Sequence, residues 1–271
     1  MSGAPPKPTA PPRKRPLGEM SAAGMLACQV LLGLAVALVW QWGAGRWFDV
    51  AFFSRPSDIL ARLWQWTRDG SIFVQMWATI HATVGGFITG AVLGLALGIW
   101  LGLSPFASRL LDPYLSALNA LPKVALAPLF VLWFGIGIES KVALAAILVL
   151  FLVFLNTYQG VREVDQDLVD AARLMKATRL QVLVKVIIPS AASWVFASLK
   201  ISVPYALIGA VLGEMIAANR GLGYLVQFAG AQFDTAGVFA ALVAIAVLAM
   251  VLNWIVGLFQ KRAERWRVVG R

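Results

Sequence analysis

Residues 170–189, DAARLMKATRLQVLVKVIIP, form a polar island in an otherwise apolar chain, and their reading decides what kind of fold surrounds them. Leu168, Ala171, Ala172 and Met175 fall at i, i+3, i+4 and i+7, which draws one apolar stripe on a short helix. Leu180, Leu183, Val184 and Ile187 repeat the spacing and predict a second short helix. Pro189 lacks an amide hydrogen, so it suits the first turn of a further helix better than the middle of this one. Acids come early (Glu163, Asp165, Asp167, Asp170) and bases late (Arg173, Lys176, Arg179, Lys185), the order that a helix dipole favours. Spacing alone leaves two readings open: a docking helix lodged in another protein's groove, or a solvated loop helix packed on its own bundle.

The island stands out because of what flanks it. The chain has 271 residues, 60% of them hydrophobic and 13% charged, and a mean hydropathy of +0.78. Apolar runs long enough to cross a hydrocarbon core of about 30 Å recur at about Ala22–Trp42, His81–Leu103, Leu110–Phe134, Val142–Tyr158, Ala191–Val211 and Val238–Leu258. The expected fold is therefore an all-α membrane protein with six transmembrane helices. The net charge of +10 does not point to nucleic acid, because the bases sit at the ends of apolar spans rather than on a soluble domain. With both termini in the cytoplasm, fifteen Lys/Arg fall inside and six outside, which fits the positive-inside bias.

Residues 1–20 are rich in proline, lysine and arginine and read as a disordered tail. The Ala22–Trp42 run is too long for a signal-peptide core and reads as a retained anchor. Residues 21–72 then comprise the first span and an outer segment, 73–260 the main bundle, and 261–271 a second basic tail. In the outer segment Pro56-Ser57-Asp58 marks a helix start before Ile59, Leu60, Leu63 and Trp64, an amphipathic surface helix. Trp40, Trp42, Trp47, Trp64 and Trp66 cluster there, where indole rings favour the headgroup level.

Gly86, Gly90, Gly94, Gly98 and Gly102 recur every four residues and predict the tightest helix contact of the bundle, a surface where helices could slide. Pro122 and Pro128 break the third span, freeing carbonyls that protein or cavity water must satisfy. Lys123 beside that break costs about 2.5–3.5 kcal/mol at mid-membrane on insertion scales, so it needs a polar partner or a place on a pathway. Cys28 excludes an intrachain disulfide and reads as a packing residue.

No catalytic set emerges. His81 stands alone, no P-loop motif occurs, and intramembrane acids are scarce. Glu214 is the main exception; Lys200 precedes it by fourteen residues, which puts the two on one helix face about 21 Å apart. A self-sufficient ion-coupled carrier would show buried acids on several helices, and a membrane enzyme would show a clustered catalytic group.

The pattern D-A-A-x3-K-x9-V-x-I-P at Asp170–Pro189 resembles the E-A-A-x3-G-x9-I-x-L-P signature of ABC-importer permeases. LPKVALAPLFVLWFGIG at 121–137, NTYQGVREV at 156–164 and GEMIAANRGLGYLV at 213–226 narrow the likeness to the type I nitrate/sulfonate/taurine group, over roughly residues 75–260. The resemblance implies a multi-pass permease subunit in the bacterial plasma membrane, paired as a homodimer. Two separate ATPase subunits would dock on the 163–189 coupling helices, and a substrate-binding protein would dock outside, near 43–72 and 215–235. ATP and magnesium would belong to the partner subunits, and this chain would bind no cofactor and do no bond chemistry. Asp170, Ala171, Ala172, Met175, Lys176 and Pro189 would then form the coupling site. Asn119, Lys123, Lys200 and Glu214 are the candidates for the translocation path. The solute would be a sulfonate-, taurine- or nitrate-type anion, with a pyrimidine-type vitamin precursor as the alternative. Two departures stand out: Asp170 replaces the usual glutamate, and Lys176 replaces a glycine whose turn favours positive φ.

Overall fold

The computed structural model describes residues 22–264; the tail expected over 1–20 and the end of the one expected over 261–271 lie outside them. Twelve α-helices follow one another: α1 (Ala22–Gly43), α2 (Val50–Phe53), α3 (Pro56–Arg68), α4 (Ser71–Leu103), α5 (Pro105–Ala120), α6 (Ala127–Phe134), α7 (Ile138–Arg162), α8 (Gln166–Leu174), α9 (Arg179–Val182), α10 (Ile188–Ile216), α11 (Leu222–Ala231) and α12 (Thr235–Glu264). A 3-10 turn (Lys123–Leu126) precedes α6, and a π turn (Leu183–Ile187) joins α9 to α10.

The glycine row decides the architecture. Every member of it meets α7. A Cβ on Gly94 would lie 2.8 Å from the Leu150 carbonyl, one on Gly98 2.6 Å from Thr157 Cβ, and one on Gly102 2.6 Å from Val161 Cγ1. Glycine is required because the two backbones touch along the whole contact. The pairs advance in step (Gly86 with Ala145, Gly98 with Thr157, Gly102 with Val161), so α4 and α7 run parallel. The meshing runs over seventeen residues, Gly86 to Gly102, and makes this a close-packed helix pair.

Parallel packing has a topological consequence. Having crossed with α4, the chain must return to its starting face before α7 begins. The return is the pair Pro105–Ala120 plus Lys123–Phe134, bent by 85°. Pro122 makes this break, whereas Pro128 opens α6 at a position where the amide would be unpaired anyway. The expected third span, 110–134, is therefore a broken crossing, and five long apolar helices plus this one make six. On α10, Gly209 meets Ala145 and Gly213 meets Lys141, so α10 runs antiparallel to α7. Small residues fill this centre: Ala82, Ala145 and Ala210 form one buried cluster, and Ala91, Val149, Val153 and Ala206 the next.

Three sequence expectations change. The second span begins at Ser71, ten residues before His81; Gly70 precedes it in a left-handed conformation, and Asp69 Oδ1 accepts from the Ser71 amide at 2.9 Å. The second short helix is not separate from the fifth span: residues Arg179–Ile216 form one continuous helix. The π turn explains it, since its widened ring takes the Ile188 amide to the Leu183 carbonyl just before Pro189, whose missing donor then disturbs little. Cys28 is exposed rather than packed, because α1 meets the rest of the described structure mainly near its end, where Trp40 Nε1 donates to the Phe53 carbonyl (3.3 Å) and its ring meets Phe239.

The segment after α1 forms the helix its sequence predicts. Pro56 opens α3, Ile59 turns inward, and Leu60 and Trp64 face outward. Arg62 pairs with Asp234 at 2.9 Å and Thr235 donates to the Ala51 carbonyl, which fastens this segment to the start of α12.

Candidate coupling and translocation sites

The polar island folds as a two-helix tip. Asp165 starts α8 by accepting from the Asp167 amide (2.9 Å). Thr178 and Gln181 start α9 with a reciprocal capping box, Gln181 Oε1 accepting from the Thr178 amide at 2.8 Å and Thr178 Oγ1 from the Gln181 amide at 3.3 Å. The T-x-x-Q spacing of that box is legible in the sequence and was the signal for where α9 begins.

Between the helices, the Lys176 amide donates to the Arg173 carbonyl (2.8 Å) and the Ala177 amide to the Ala172 carbonyl (3.1 Å). This is a Schellman ending, and its left-handed residue is Lys176 itself, at φ 60°. The lysine therefore occupies the conformation that glycine takes freely, and the tip keeps its shape without the glycine.

The apolar stripe divides. Val169 is buried with Val164 and Val182, and Ala172 and Ala177 pack against them. Leu168, Ala171 and Met175 instead face outward, joined by Leu174; the last two are 83% and 85% exposed respectively. Sequence periodicity places these residues on one helix but cannot say which of two adjacent apolar stripes meets the bundle. Asp170 is exposed and pairs with Arg173 at 3.1 Å, an exposed pair that contributes little to stability. Pro189, also exposed, lies within the continuous helix above the tip.

The candidate pathway residues do not form one cluster. Lys123 Nζ donates to the Asn119 carbonyl (2.9 Å) and to Asn119 Oδ1 (3.2 Å), and lies 4.6 Å from the centre of the Phe151 ring. The ammonium thus takes up a carbonyl that the break at Pro122 leaves without a helical partner. Asn119, Lys123, Phe151 and Tyr205 share a cleft of about 280 Å³ whose lining holds no carboxylate. Tyr205, a hydroxyl on an apolar helix, is the member that the sequence reading passed over. Lys200 is exposed on α10 and lies outside this lining.

Glu214 is turned the other way. It is 2% exposed and accepts from Thr79 Oγ1 (3.0 Å) and the Gly223 amide (2.9 Å). Thr79 Oγ1 in turn accepts from the Leu222 amide (2.8 Å), and Gln75 Oε1 from the Gly221 amide (2.7 Å). Gly221 has φ +125°, and a side chain there would strike the Glu214 carboxylate. The carboxylate is therefore the knot that ties the 217–223 loop to α4 and α10. Helical phase suggests that Lys200 and Glu214 share a face, but only Glu214 is covered, by α4 and the loop into α11.

These features meet in one class of protein. Residues 90–265 match the family of binding-protein-dependent transport system inner membrane components, and the chain belongs to that family. It is an ABC-importer permease subunit, a transport component and not an enzyme. It is 37% identical over 241 residues to the riboflavin transport system permease protein of Chloroflexus aurantiacus, covering 87% of this chain and 90% of that one. It is 30% identical over 236 residues to the putative aliphatic sulfonates transport permease protein of Escherichia coli K12, covering 87% and 90%. Among solved structures, a chain of the MetNI methionine ABC transporter, in an inward-facing conformation, superposes with a TM-score of 0.62 at 19% identity, over 70% of this chain and 95% of that one. That likeness concerns the fold.

Proposed function

We propose that this chain is the membrane-spanning half of an ATP-driven importer of a small anionic solute, working as a homodimer with two ATPase subunits and a substrate-binding protein. The observation that carries the reading is the tip at 166–182. Two caps and a Schellman turn hold it rigid, while Leu174 and Met175 stand almost wholly exposed at its end. Two large apolar side chains held out on rigid backbone fit a groove on another protein, and burying each would contribute about 1.5–3 kcal/mol. ATP and magnesium would act on the partner subunits, and closure of the ATPase pair would move the tip. With the tip on the cytoplasmic side, the start of α1 and the end of α12 would be cytoplasmic as well.

Leu174→Ser with Met175→Ser leaves the inward face (Val169, Ala172) intact and is expected to abolish co-purification with the ATPase while the permease still folds. Undiminished co-purification would remove the coupling assignment. The anionic solute rests on the Lys123 cleft, whose lining carries a cation and no acid. A vitamin-type heterocycle is the second reading. The named riboflavin permease relative and the rings of Phe151 and Tyr205 on the same cleft favour it. Stimulation of ATP hydrolysis in the reconstituted complex, by binding protein loaded with sulfonates or with heterocycles, separates the two.

A further inference from the structure

A second cationic cleft lies where α1 leaves the apolar region. Gln41, Trp42, Ala44, Gly45, Arg46 and Arg55 line an open surface cleft of about 340 Å³ there. A tight turn builds its floor. The Gly45 amide donates to the Phe48 carbonyl (2.7 Å), and Gly45 sits at φ +90°. A Cβ at Gly45 would lie 3.0 Å from Arg55 Nη2, so the absence of a side chain admits that guanidinium to the cleft. Arg46 approaches from the other side, its guanidinium carbon 5.0 Å from the centre of the Trp42 ring. Gln41 fixes the α1–α3 junction beside it, Oε1 accepting from the Ser57 amide (3.1 Å) and Nε2 donating to Ser57 Oγ (3.1 Å).

Two guanidinium groups therefore line one small space, and like charges so placed call for an anion. No described carboxylate pairs with either guanidinium. Among the described residues the ion pairs are Arg62–Asp234 and Arg173–Asp170. The neighbouring Asp49 is engaged in capping α2, accepting from the Ala51 amide (2.9 Å). The level of the cleft identifies the source of the anion. The apolar run Gly24–Gly43 ends at its edge, and Trp42 in its lining is largely exposed, as are Trp47 and Phe52 just after it in the chain, as side chains at a membrane interface are. Guanidinium forks match phosphate oxygens, and the flanking rings offer apolar surface for acyl chains.

We infer that the Arg46–Arg55 cleft binds the phosphate of an anionic phospholipid and anchors the outer segment to the bilayer. The shared chemistry is a phosphate monoanion, and the test distinguishes lipid from free phosphate. The permease–ATPase complex, solubilised whole, is titrated with phosphatidylglycerol or phosphatidylcholine and the bound lipid is counted by native mass spectrometry. Phosphatidylglycerol should be retained preferentially. Arg46→Gln with Arg55→Gln should weaken that retention by about fivefold per arginine, about 25-fold together. Both side chains are exposed, so the fold should persist. Arg62→Gln, on the same surface but paired with Asp234, should leave retention unchanged. Arg46→Lys with Arg55→Lys should keep part of the effect through charge alone. Equal retention of the two lipids, or of phosphatidylglycerol by native and double variant, overturns the proposal. So does displacement by inorganic phosphate, which would make this a free-phosphate site. Unaltered lipid retention with lost stimulation by the binding protein would assign the arginines to a protein partner instead.

Discussion

Lys176→Gly isolates one backbone angle. The lysine holds φ 60° at the end of α8, a conformation that costs an L-residue about 1 kcal/mol and glycine almost nothing. The side chain is exposed and, among the described residues, makes no hydrogen bond or ion pair, so its removal forfeits no contact within the chain. Substitution should therefore stabilise the closed turn against local opening by about 1 kcal/mol, a factor of about five. The amide that reports it is Ala177, which donates to the Ala172 carbonyl and must open before it exchanges. Hydrogen exchange on the purified permease should show Ala177 protected about fivefold more in the variant. Complex assembly and ATP hydrolysis should match or exceed the native level. Unchanged or faster exchange would refute the strain argument. Slower exchange with weakened ATPase association would show that the ammonium makes a contact on the partner, and the lysine would then be there for recognition.

Two further outcomes follow from the bundle. Gly98→Val places branched carbon against Thr157, already 2.6 Å from an ideal Cβ, and should destabilise the α4–α7 contact by about 1–3 kcal/mol, read as a lower inactivation temperature in detergent. Glu214→Ala leaves the buried Gly223 amide without its acceptor at a cost of about 1–3 kcal/mol. It should raise exchange at 221–223 and lower stimulation by the binding protein, whereas unchanged exchange there would show that the carboxylate does not hold the loop.

Much of the fold was legible because its signals are periodic. A glycine every fourth residue reports a backbone contact before any partner is known, and the structure supplies α7. The break at Pro122 was legible from the missing amide, but its 85° bend was not, since bend angle depends on what α5 and α6 meet. The continuity through Pro189 was hidden because a π turn leaves no residue signature. At the tip, Leu168, Ala171 and Ala172 lie in α8 as the row predicts, and Met175 forms its C-terminal cap. Only tertiary contact could decide that Val169 and Ala172 turn inward while the others stay outside. Glu214 shows the same limit: helix phase relates it to Lys200 but cannot say that α4 and the loop into α11 cover only the glutamate.

The unbroken Arg179–Ile216 helix also sets a mechanical scale. Its 38 residues make a rod of about 57 Å, nearly twice a hydrocarbon thickness of about 30 Å. Pivoting about its middle, such a lever would carry each end through about 5 Å for every 10° of tilt, taking the half-length from the rise per residue. One end bears the α9 cap and the other the Glu214 knot, so a push of a few ångströms on the tip reaches the far mouth as a displacement of equal size and opposite direction.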